Sequence, residues 1–422
     1  MRKILTLITV LVFCAPTFAQ ILTVNDAQSG SPVELVTIYS VSPKLSSITN
    51  ASGKANISSF KGLDNIIIQM LGYETLHVSY DKLKDAGFAA KLKPTNVALE
   101  QVVISATRWS QPDKNVPVKV TAITPKEAFL QNPQTAADML TLSGEVFMQK
   151  SQMGGGSPMI RGFATNRLLI AVDGIRMNNA IFRSGNLQNV ISVDPYAVER
   201  TEVMFGPGSI LYGSDAIGGV MSFYTLRPQL SLDEGAFLKG GATIRHSTAN
   251  NELTGNFNLN IGWKKFALLT SFTLNDFDNL KMGSFGPDEY KRPEFVETIN
   301  GSDVVVANDN QLVQKPTGYS QFNILQKVLY LPNKDWELVY GFYYSTTGDY
   351  ARYDRLIRYK KGLPRSAEWY YGPQKWMMHN LSISNHAATA MYDDVTLRLA
   401  YQFFEESRID RDYLGTELHS RV

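Results

Sequence analysis

Leu253-Thr254-Gly255-Asn256-Phe257-Asn258-Leu259-Asn260-Ile261-Gly262-Trp263 alternates two kinds of side chain. Successive side chains of a strand point to opposite faces, so one face carries Leu253, Gly255, Phe257, Leu259, Ile261 and Trp263 and the other Thr254, Asn256, Asn258, Asn260 and Gly262. Such a strand separates an apolar medium from a wet one. The pattern returns in Trp336, Leu338, Tyr340, Phe342 and Tyr344 opposite Glu337 and Gly341, and in Val395, Leu397, Leu399, Tyr401 and Phe403 opposite Thr396, Arg398 and Gln402. A soluble β-sandwich also alternates, so the connections decide. Strands read at 236–247, 252–263, 266–276, 320–330, 336–346, 376–387 and 395–404, joined by short turns at 264–265, 331–335 and 388–394 and by long segments at 277–319 and 347–375. Short turns at one end and long loops at the other are the arrangement of an outer-membrane β-barrel with its long loops outside the cell. Trp263, Tyr330 and Trp336 then fall together at the short-turn end, where an aromatic girdle belongs.

The rest of the chain differs in composition. Of 46 Phe, Trp and Tyr residues, 29 follow Pro228, although that part is the shorter, which marks a change of architecture there. Formal net charge is +2 from 41 basic and 39 acidic residues without long runs of either sign, so nothing points to nucleic acid. Residues 1–19 read as an export signal: Arg2 and Lys3, the apolar run from Ile4 to Phe13, then Thr17 and Ala19 at the positions a signal peptidase reads, with cleavage before Gln20. The only cysteine, Cys14, lies inside that signal, and Phe13 before it argues against a lipid anchor. A mature chain without cysteine has no disulfide or thiol chemistry. His77, His246, His379, His386 and His419 are scattered without a paired motif, so we expect no enzyme, no cofactor and no metal site.

Residues 21–94 read as a small β-sandwich, with strands such as Val33 to Tyr39 and Asn65 to Met70 and turns at Ser29-Gly30 and Ser52-Gly53. The order of its Gly-Ser-Pro-Val, Thr-Asn-Ala-Ser-Gly-Lys-Ala and Ile-Ile-Ile-Gln-Met-Leu-Gly-Tyr-Glu segments resembles the carboxypeptidase-regulatory-like domain that precedes many receptors of Bacteroidetes-type bacteria. No His and Glu pair stands at zinc-ligand spacing there, so the name implies no peptidase chemistry.

Residues 115–228 read as an α+β domain, with a helix over 128–142 and strands over 168–172 and 199–204. They carry, in order, Ile160-Arg161-Gly162-Phe163, Val172-Asp173-Gly174-Ile175-Arg176, Glu199-Arg200-Thr201-Glu202-Val203, Gly206-Pro207-Gly208, and Leu211-Tyr212-Gly213-Ser214-Asp215-Ala216-Ile217-Gly218-Gly219-Val220. This stretch resembles the plug domain of TonB-dependent outer-membrane receptors. The glycines among these motifs supply turns with positive φ or close backbone approach, as a compact domain inside a barrel requires. No Gly-rich turn leads into a Lys-Ser or Lys-Thr opening a helix, which sets phosphate binding aside. Arg161 and Arg200 with Asp173, Glu199 and Glu202 are expected to make structural ion pairs between plug and wall in a polar lumen.

The segment 99–108, with Glu100, Gln101, Val102, Val103, Ile104, Ser105, Ala106 and Thr107, is a short β-prone run beside the Pro-containing stretch 112–117. It resembles the TonB box of the same receptors, and a strand of this kind adds to a partner's sheet edge through backbone hydrogen bonds. The resemblance implies the TonB energy-transducing complex as partner. It also implies that the plug loops 151–157 and 178–187 face outside, which makes Met153, Asn178, Asn179, Phe182 and Arg183 the candidate ligand contacts: apolar groups beside amides and one guanidinium. The alternative for Met153 and Phe182 is packing on the inner wall of the barrel.

A plugged barrel of this type has roughly 22 strands. Seven leave open edges, which lipid does not tolerate, so we read 229–422 as the N-terminal part of a transmembrane β-barrel ending in an external loop near 405–422. The expected fold is mainly β. The expected function is TonB-energised uptake of a scarce ligand such as a siderophore-iron chelate, haem or cobalamin across the outer membrane, in contact with its lipids. Between Leu99 and Pro228 there is no histidine, which lowers haem. Glycan import with a lipoprotein lid, or surface binding and signalling without transport, are the alternatives.

Overall fold

The structure, a computed structural model, describes residues 20–70, 72–94, 102–103, 111–112, 116–150, 153–177 and 189–421. The expected signal and Cys14 lie outside them. Residues 20–94 belong to one compact unit, and residues from Val102 onward to a second.

In the first unit, β1 (Ile21–Asp26), β2 (Thr37–Ser40), β3 (Leu45–Ile48), β4 (Lys54–Asn56), β5 (Ile66–Gln69), β6 (Leu76–Val78) and β7 (Ala89–Leu92) form two sheets, ordered β4-β1-β7 and β3-β2-β5-β6, with α1 (Tyr80–Asp85) before β7. Alternation selects the buried faces: Leu22 and Val24 from β1 and Ile66 and Ile68 from β5 meet Ile38, Ile57 and Phe60 in one apolar cluster. Gly53 is required at its turn, because its φ is +69° and a Cβ would lie 2.5 Å from the Val24 carbonyl oxygen.

The second unit starts with a two-residue antiparallel ladder, β8 (Val102–Val103) on β9 (Gln111–Pro112). A central domain follows: β10 (Val120–Ile123), α2 (Pro125–Gln131), α3 (Ala136–Thr141), β11 (Val146–Gln149), β12 (Ser157–Ile160), β13 (Phe163–Ala164), β14 (Leu168–Val172), β15 (Ile175–Arg176), β16 (Val198–Phe205), α4 (Ser209–Tyr212) and β17 (Gly219–Thr225). Its main sheet runs β10-β16-β17-β14-β15, with β14 and β17 parallel. The single helix expected over 128–142 is two. Asn132 ends α2 in the left-handed region at φ 48°, and Thr124 with Glu127 and Thr135 with Asp138 each build a capping box, so local capping chemistry overrides the continuous apolar pattern.

The last part is a wall of long strands: β18 (Phe237–Ser247), β19 (Glu252–Gly262), β20 (Phe266–Phe277), then β21 (Glu294–Ile299) and β22 (Ser302–Ala307) as a hairpin in a long loop, β23 (Tyr319–Tyr330), β24 (Trp336–Thr347), β25 (Tyr350–Ala351), α5 (Tyr353–Leu356), β26 (Tyr359–Lys360), β27 (Leu363–Pro364), β28 (Ser366–Asn385), β29 (Val395–Asp412) and β30 (His419–Arg421). The main ladder is antiparallel throughout, ordered β18-β19-β20-β23-β24-β28-β29-β30, and it is open. The expected faces hold: Thr254, Asn256 and Asn260 are buried while Leu253 and Phe257 are exposed. Trp263 and Phe266 stack at the short-turn end, and Tyr330 pairs across from Phe266.

Two strands run further than the alternation suggested. β28 begins at Ser366 and β29 continues to Asp412, with a bulge between Tyr371 and Gln374. The extra residue reverses which parity of β28 faces inward, Gln374 and Trp376 below it and Tyr371 and Trp369 above it, so a strict period-two reading loses the strand there. No helix among the described residues is long and apolar enough to cross a membrane.

Candidate functional site

The residues that bear on function lie along the seam between the central domain and the inner face of the wall. Asp173 and Gly174 form a two-residue turn between β14 and β15, with φ +47° and +79°, the turn type for which Asp-Gly is favoured. The turn aims the Asp173 carboxylate across the seam. It accepts hydrogen bonds from the Thr225 backbone N–H (2.9 Å) and Oγ1 (2.7 Å) and from the Tyr343 hydroxyl, and pairs with Lys327 Nζ at 2.8 Å. Burial works against its charge, but the Lys327 ammonium and the donated hydrogen bonds prevail and hold this carboxyl below its ordinary range. Lys327, 5% exposed, also donates to the Thr225 carbonyl. Lys327 was not among the candidate residues read from the sequence, although its signal was there: a lysine at an inward position between Leu325 and Leu329.

Asp194 faces a different environment. Its carboxylate accepts from Thr273 Oγ1 at 2.6 Å and from the Tyr196 backbone N–H at 3.0 Å, and burial pushes its pKa up to about 6. Other inward side chains seat the domain similarly. Arg245 donates to the Pro133 carbonyl, Gln134 to Glu252, Gln321 to the Ile191 carbonyl, Gln374 to Ser192 Oγ and Gln402 to the Arg176 carbonyl. A cavity of about 590 Å³ opens along the seam, lined in part by Asp173, Arg200, Arg227, Lys327, Glu337 and Arg398.

Of the ion pairs expected across the seam, Asp173 makes one. Glu202 does not: it is fully buried and pairs with Arg200 of its own strand at 3.1 Å. The Arg161 guanidinium lies over the Phe205 ring, 5.5 Å from its centre. β16 is an inner strand of its sheet, flanked by β10 and β17, so Glu202 is sequestered inside the domain. Gly162, Gly206 and Gly213 have positive φ, and a Cβ on Gly218 or Gly219 would lie 2.4 Å from Phe163 Cβ or 2.6 Å from the Met204 carbonyl oxygen.

Of the candidate ligand contacts, Asn178, Asn179, Phe182 and Arg183 lie outside the described residues. Met153 is half-buried and packs on a cluster of Ile191 with Phe277, Tyr319, Tyr350, Trp369 and Tyr371, with Asn250 Nδ2 3.5 Å from its sulfur. Of Glu100 to Thr107 only Val102 and Val103 are described, paired with Pro112 and Gln111. Among the described residues no cluster of three or more His, Cys, Asp or Glu side chains is placed to hold a metal.

The long loops carry contacts that sequence reasoning treated as plain loop. Buried Arg292 donates to the Leu356 carbonyl at 3.2 Å, Tyr359 donates to Glu294 at 2.7 Å, and Arg411 grips Asp303 at 2.7 and 2.8 Å and Glu368 at 2.7 Å. Arg411 and the Leu414 backbone N–H bring the Asp303 carboxyl down to about 2. The two long segments of this end are thereby stapled together.

The comparisons with known proteins bear on this compact α/β domain held by polar contacts against a wall of long antiparallel strands. Residues 112–220 match the model of the TonB-dependent receptor plug domain. The central domain is called the plug below. The vitamin B12 transporter BtuB of Vibrio vulnificus (strain CMCP6) is 37% identical over 147 residues, 34% of this chain and 23% of that protein. The hemin receptor of Yersinia pestis is 27% identical over 192 residues, 44% of this chain and 27% of that protein. The chain thus spans about a quarter of the length of these relatives. In fold, it is similar to the FrpB iron transporter from Neisseria meningitidis, with a TM-score of 0.53 at 16% identity over 69% of this chain and 41% of that one. These comparisons support a TonB-dependent receptor, a family of transport receptors of the outer membrane.

Proposed function

We propose that this chain belongs to an outer-membrane receptor that takes up a scarce ligand, an iron chelate, haem or cobalamin, with energy delivered by the TonB complex. The observation that carries the reading is the plug seated within the strand wall by hydrogen bonds and ion pairs, of which Asp173 with Lys327, Thr225 and Tyr343 is the densest. A seat of this kind closes the lumen at rest and comes apart in small steps under force, because each bond exchanges readily for one to water. The named functions of the relatives, vitamin B12 transport and hemin reception, favour a chelate or macrocycle as cargo.

The segment Glu100 to Thr107 is the handle in this reading. Its ladder to Gln111 and Pro112 is two residues long, so an incoming strand from TonB replaces it at little cost. The apolar outward face of the wall contacts the lipids, and residues 21–94 form an N-terminal carboxypeptidase-regulatory-like domain of the Bacteroidetes type, exported with an unlipidated Gln20 as first residue. Deleting Glu100 to Thr107 from the intact receptor should abolish energised uptake while leaving ligand binding and membrane insertion unchanged; undiminished uptake would refute the proposal.

A further inference from the structure

The outward face of the wall is apolar but not smooth. Residues paired across neighbouring strands form rows on that face, and one row reads Ile244, Gly255, Leu274, Phe322 and Thr346 from β18 to β24. Gly255 stands between the outward Leu253 and Phe257 of its own strand, so the row has a gap where its neighbours carry side chains. A cavity of about 610 Å³ opens there, lined on the outward side by the five residues of the row and Leu253. Ile244, Leu253 and Leu274 are exposed along it. Gly255 lies on β19 with β18 and β20 paired on either side, so the gap belongs to the wall and not to an open edge.

Its height on the wall is set by the strand. Gly255 is eight residues along the chain from Trp263 of the short-turn girdle. At roughly 3.4 Å per residue and a tilt of about 40°, it sits roughly 20 Å above that girdle, near the upper limit of an apolar band about 25 Å tall. The next row agrees: His246, Leu253, Asp276 and Ser320 pair across β18 to β23, and all but Leu253 are polar. The groove therefore opens just beneath the level of lipid headgroups.

What fills it follows from what surrounds it. In the membrane setting of the proposed function this face meets hydrocarbon, and an apolar gap there does not hold water, which needs polar partners. Left empty, its lining would forfeit dispersion contacts. Lipid is as apolar as leucine, so hydrophobicity does not single out this place and shape does. A lipid chain on the even part of the wall is touched from one side; in the groove it is touched from below at Gly255 and from the flanks by Ile244, Leu253 and Leu274.

We propose that this groove seats one acyl chain of an outer-leaflet lipid, with the headgroup at the level of His246, Asp276 and Ser320. The inference rests on the proposed function for its membrane setting alone. Gly255→Leu tests it directly, because a Cβ on Gly255 meets nothing within 4 Å and the residue is ordinary strand, so the groove is filled without strain.

The intact receptor is reconstituted in phosphatidylethanolamine vesicles containing a small fraction of the same lipid with a photoactivatable diazirine on its acyl chain, irradiated, and mapped by peptide mass spectrometry. The reference is Phe403, an exposed outward residue that pairs through Met377 and Tyr344 into the row just below the groove. Leu253, Leu274 and Phe322 should be labelled at least threefold above Phe403. Gly255→Leu should bring them down to it, and Leu399→Phe, which adds apolar bulk outside the groove, should not. Receptor extracted from its native membrane in mild detergent should retain a lipid that Gly255→Leu releases, read by native mass spectrometry. Even labelling across the wall, groove labelling that survives Gly255→Leu, or a polypeptide released in place of lipid would each overturn the proposal. Labelling of Phe403 reports insertion separately, and its absence in every protein would remove the membrane setting and the proposal with it. Uptake is not measured, so the outcome is independent of whether the protein transports.

Discussion

Inside the plug, Ile170, Val203, Met221 and Phe223 are essentially without exposed surface and belong to one apolar cluster; at its border with the wall, polar contacts run from Asp173 to Lys327, Asp194 to Thr273, Gln321 to a carbonyl and Gln374 to a hydroxyl. The two regions differ in how their free energy is lost. A packed apolar core resists partial opening, because each exposed side chain loses dispersion contacts at once and water offers nothing in exchange. A polar seam yields bond by bond, since water replaces each partner as it leaves. A domain that stays folded while shifting in its socket needs the first kind of contact within and the second kind around it. The border is not purely polar: Leu269, Leu325, Trp376 and Met378 of the wall join the plug's apolar cluster, which sets the seated position.

The sharpest way to break the comparison is to strike the core. Phe223→Ala should destabilise the plug itself by about 3–5 kcal/mol, the cost of a large cavity at a fully buried site, read as a lowered unfolding midpoint with loss of protease resistance across the whole domain. Lys327→Met strikes the seam instead and leaves the Asp173 carboxylate without its cation. We expect about 2 kcal/mol, expressed as faster amide exchange at the seam with the plug's core protection intact. Equal loss of protection in the core would erase the distinction drawn here.

How far these regions were legible in the sequence follows from the same physics. Strands with one wet and one apolar face announce themselves by period two, so five of the seven long strands were found to within a residue of their ends, while β28 starts ten residues before its expected start and β29 ends eight residues beyond its expected end. The plug was legible through ordered motifs, and the Asp173-Gly174 turn through its own chemistry. What stayed hidden depends on partners far apart in sequence. Lys327 reads as one more inward polar residue until Asp173 is placed opposite it, and Arg411 reads as loop until Asp303 and Glu368 meet it. Above Gly372 and Pro373 the bulge reversed the parity, which concealed the upper half of β28 and with it the aromatic wall of Trp369 and Tyr371.

A smaller effect sharpens the seam by pH. Asp194, with its pKa pushed up to about 6 by burial, binds a proton more readily seated than unfolded, where a carboxyl titrates near 4. Protonation therefore favours the seated state. The stabilisation is fully present below about pH 4 and is lost as pH rises through 6, a change of roughly 1–2 kcal/mol. Plug protection measured by amide exchange should fall across that window in the wild type and stay flat in Asp194→Asn; a rise instead would reverse the assignment. The smallest effect is expected at Arg227, which pairs with Glu337 at an exposed edge of the seam. Arg227→Ala should change seam protection by roughly 0–1 kcal/mol, and less still in added salt, by the same exchange measurement.

Under the proposed function the plug must move against the wall for the ligand to pass, and a reversible lock across the seam tests that movement most directly. Asp194 and Thr273 face each other across the seam, their side-chain oxygens 2.6 Å apart, so a cysteine pair at these two positions is the natural place for a bridge, and Cys14 is the only other cysteine in residues 1–422. In the intact receptor carrying Asp194→Cys and Thr273→Cys, the oxidised protein should bind its ligand with unchanged affinity and show no energised uptake, and reduction should restore uptake. Uptake at the wild-type rate with the disulfide formed would contradict the account.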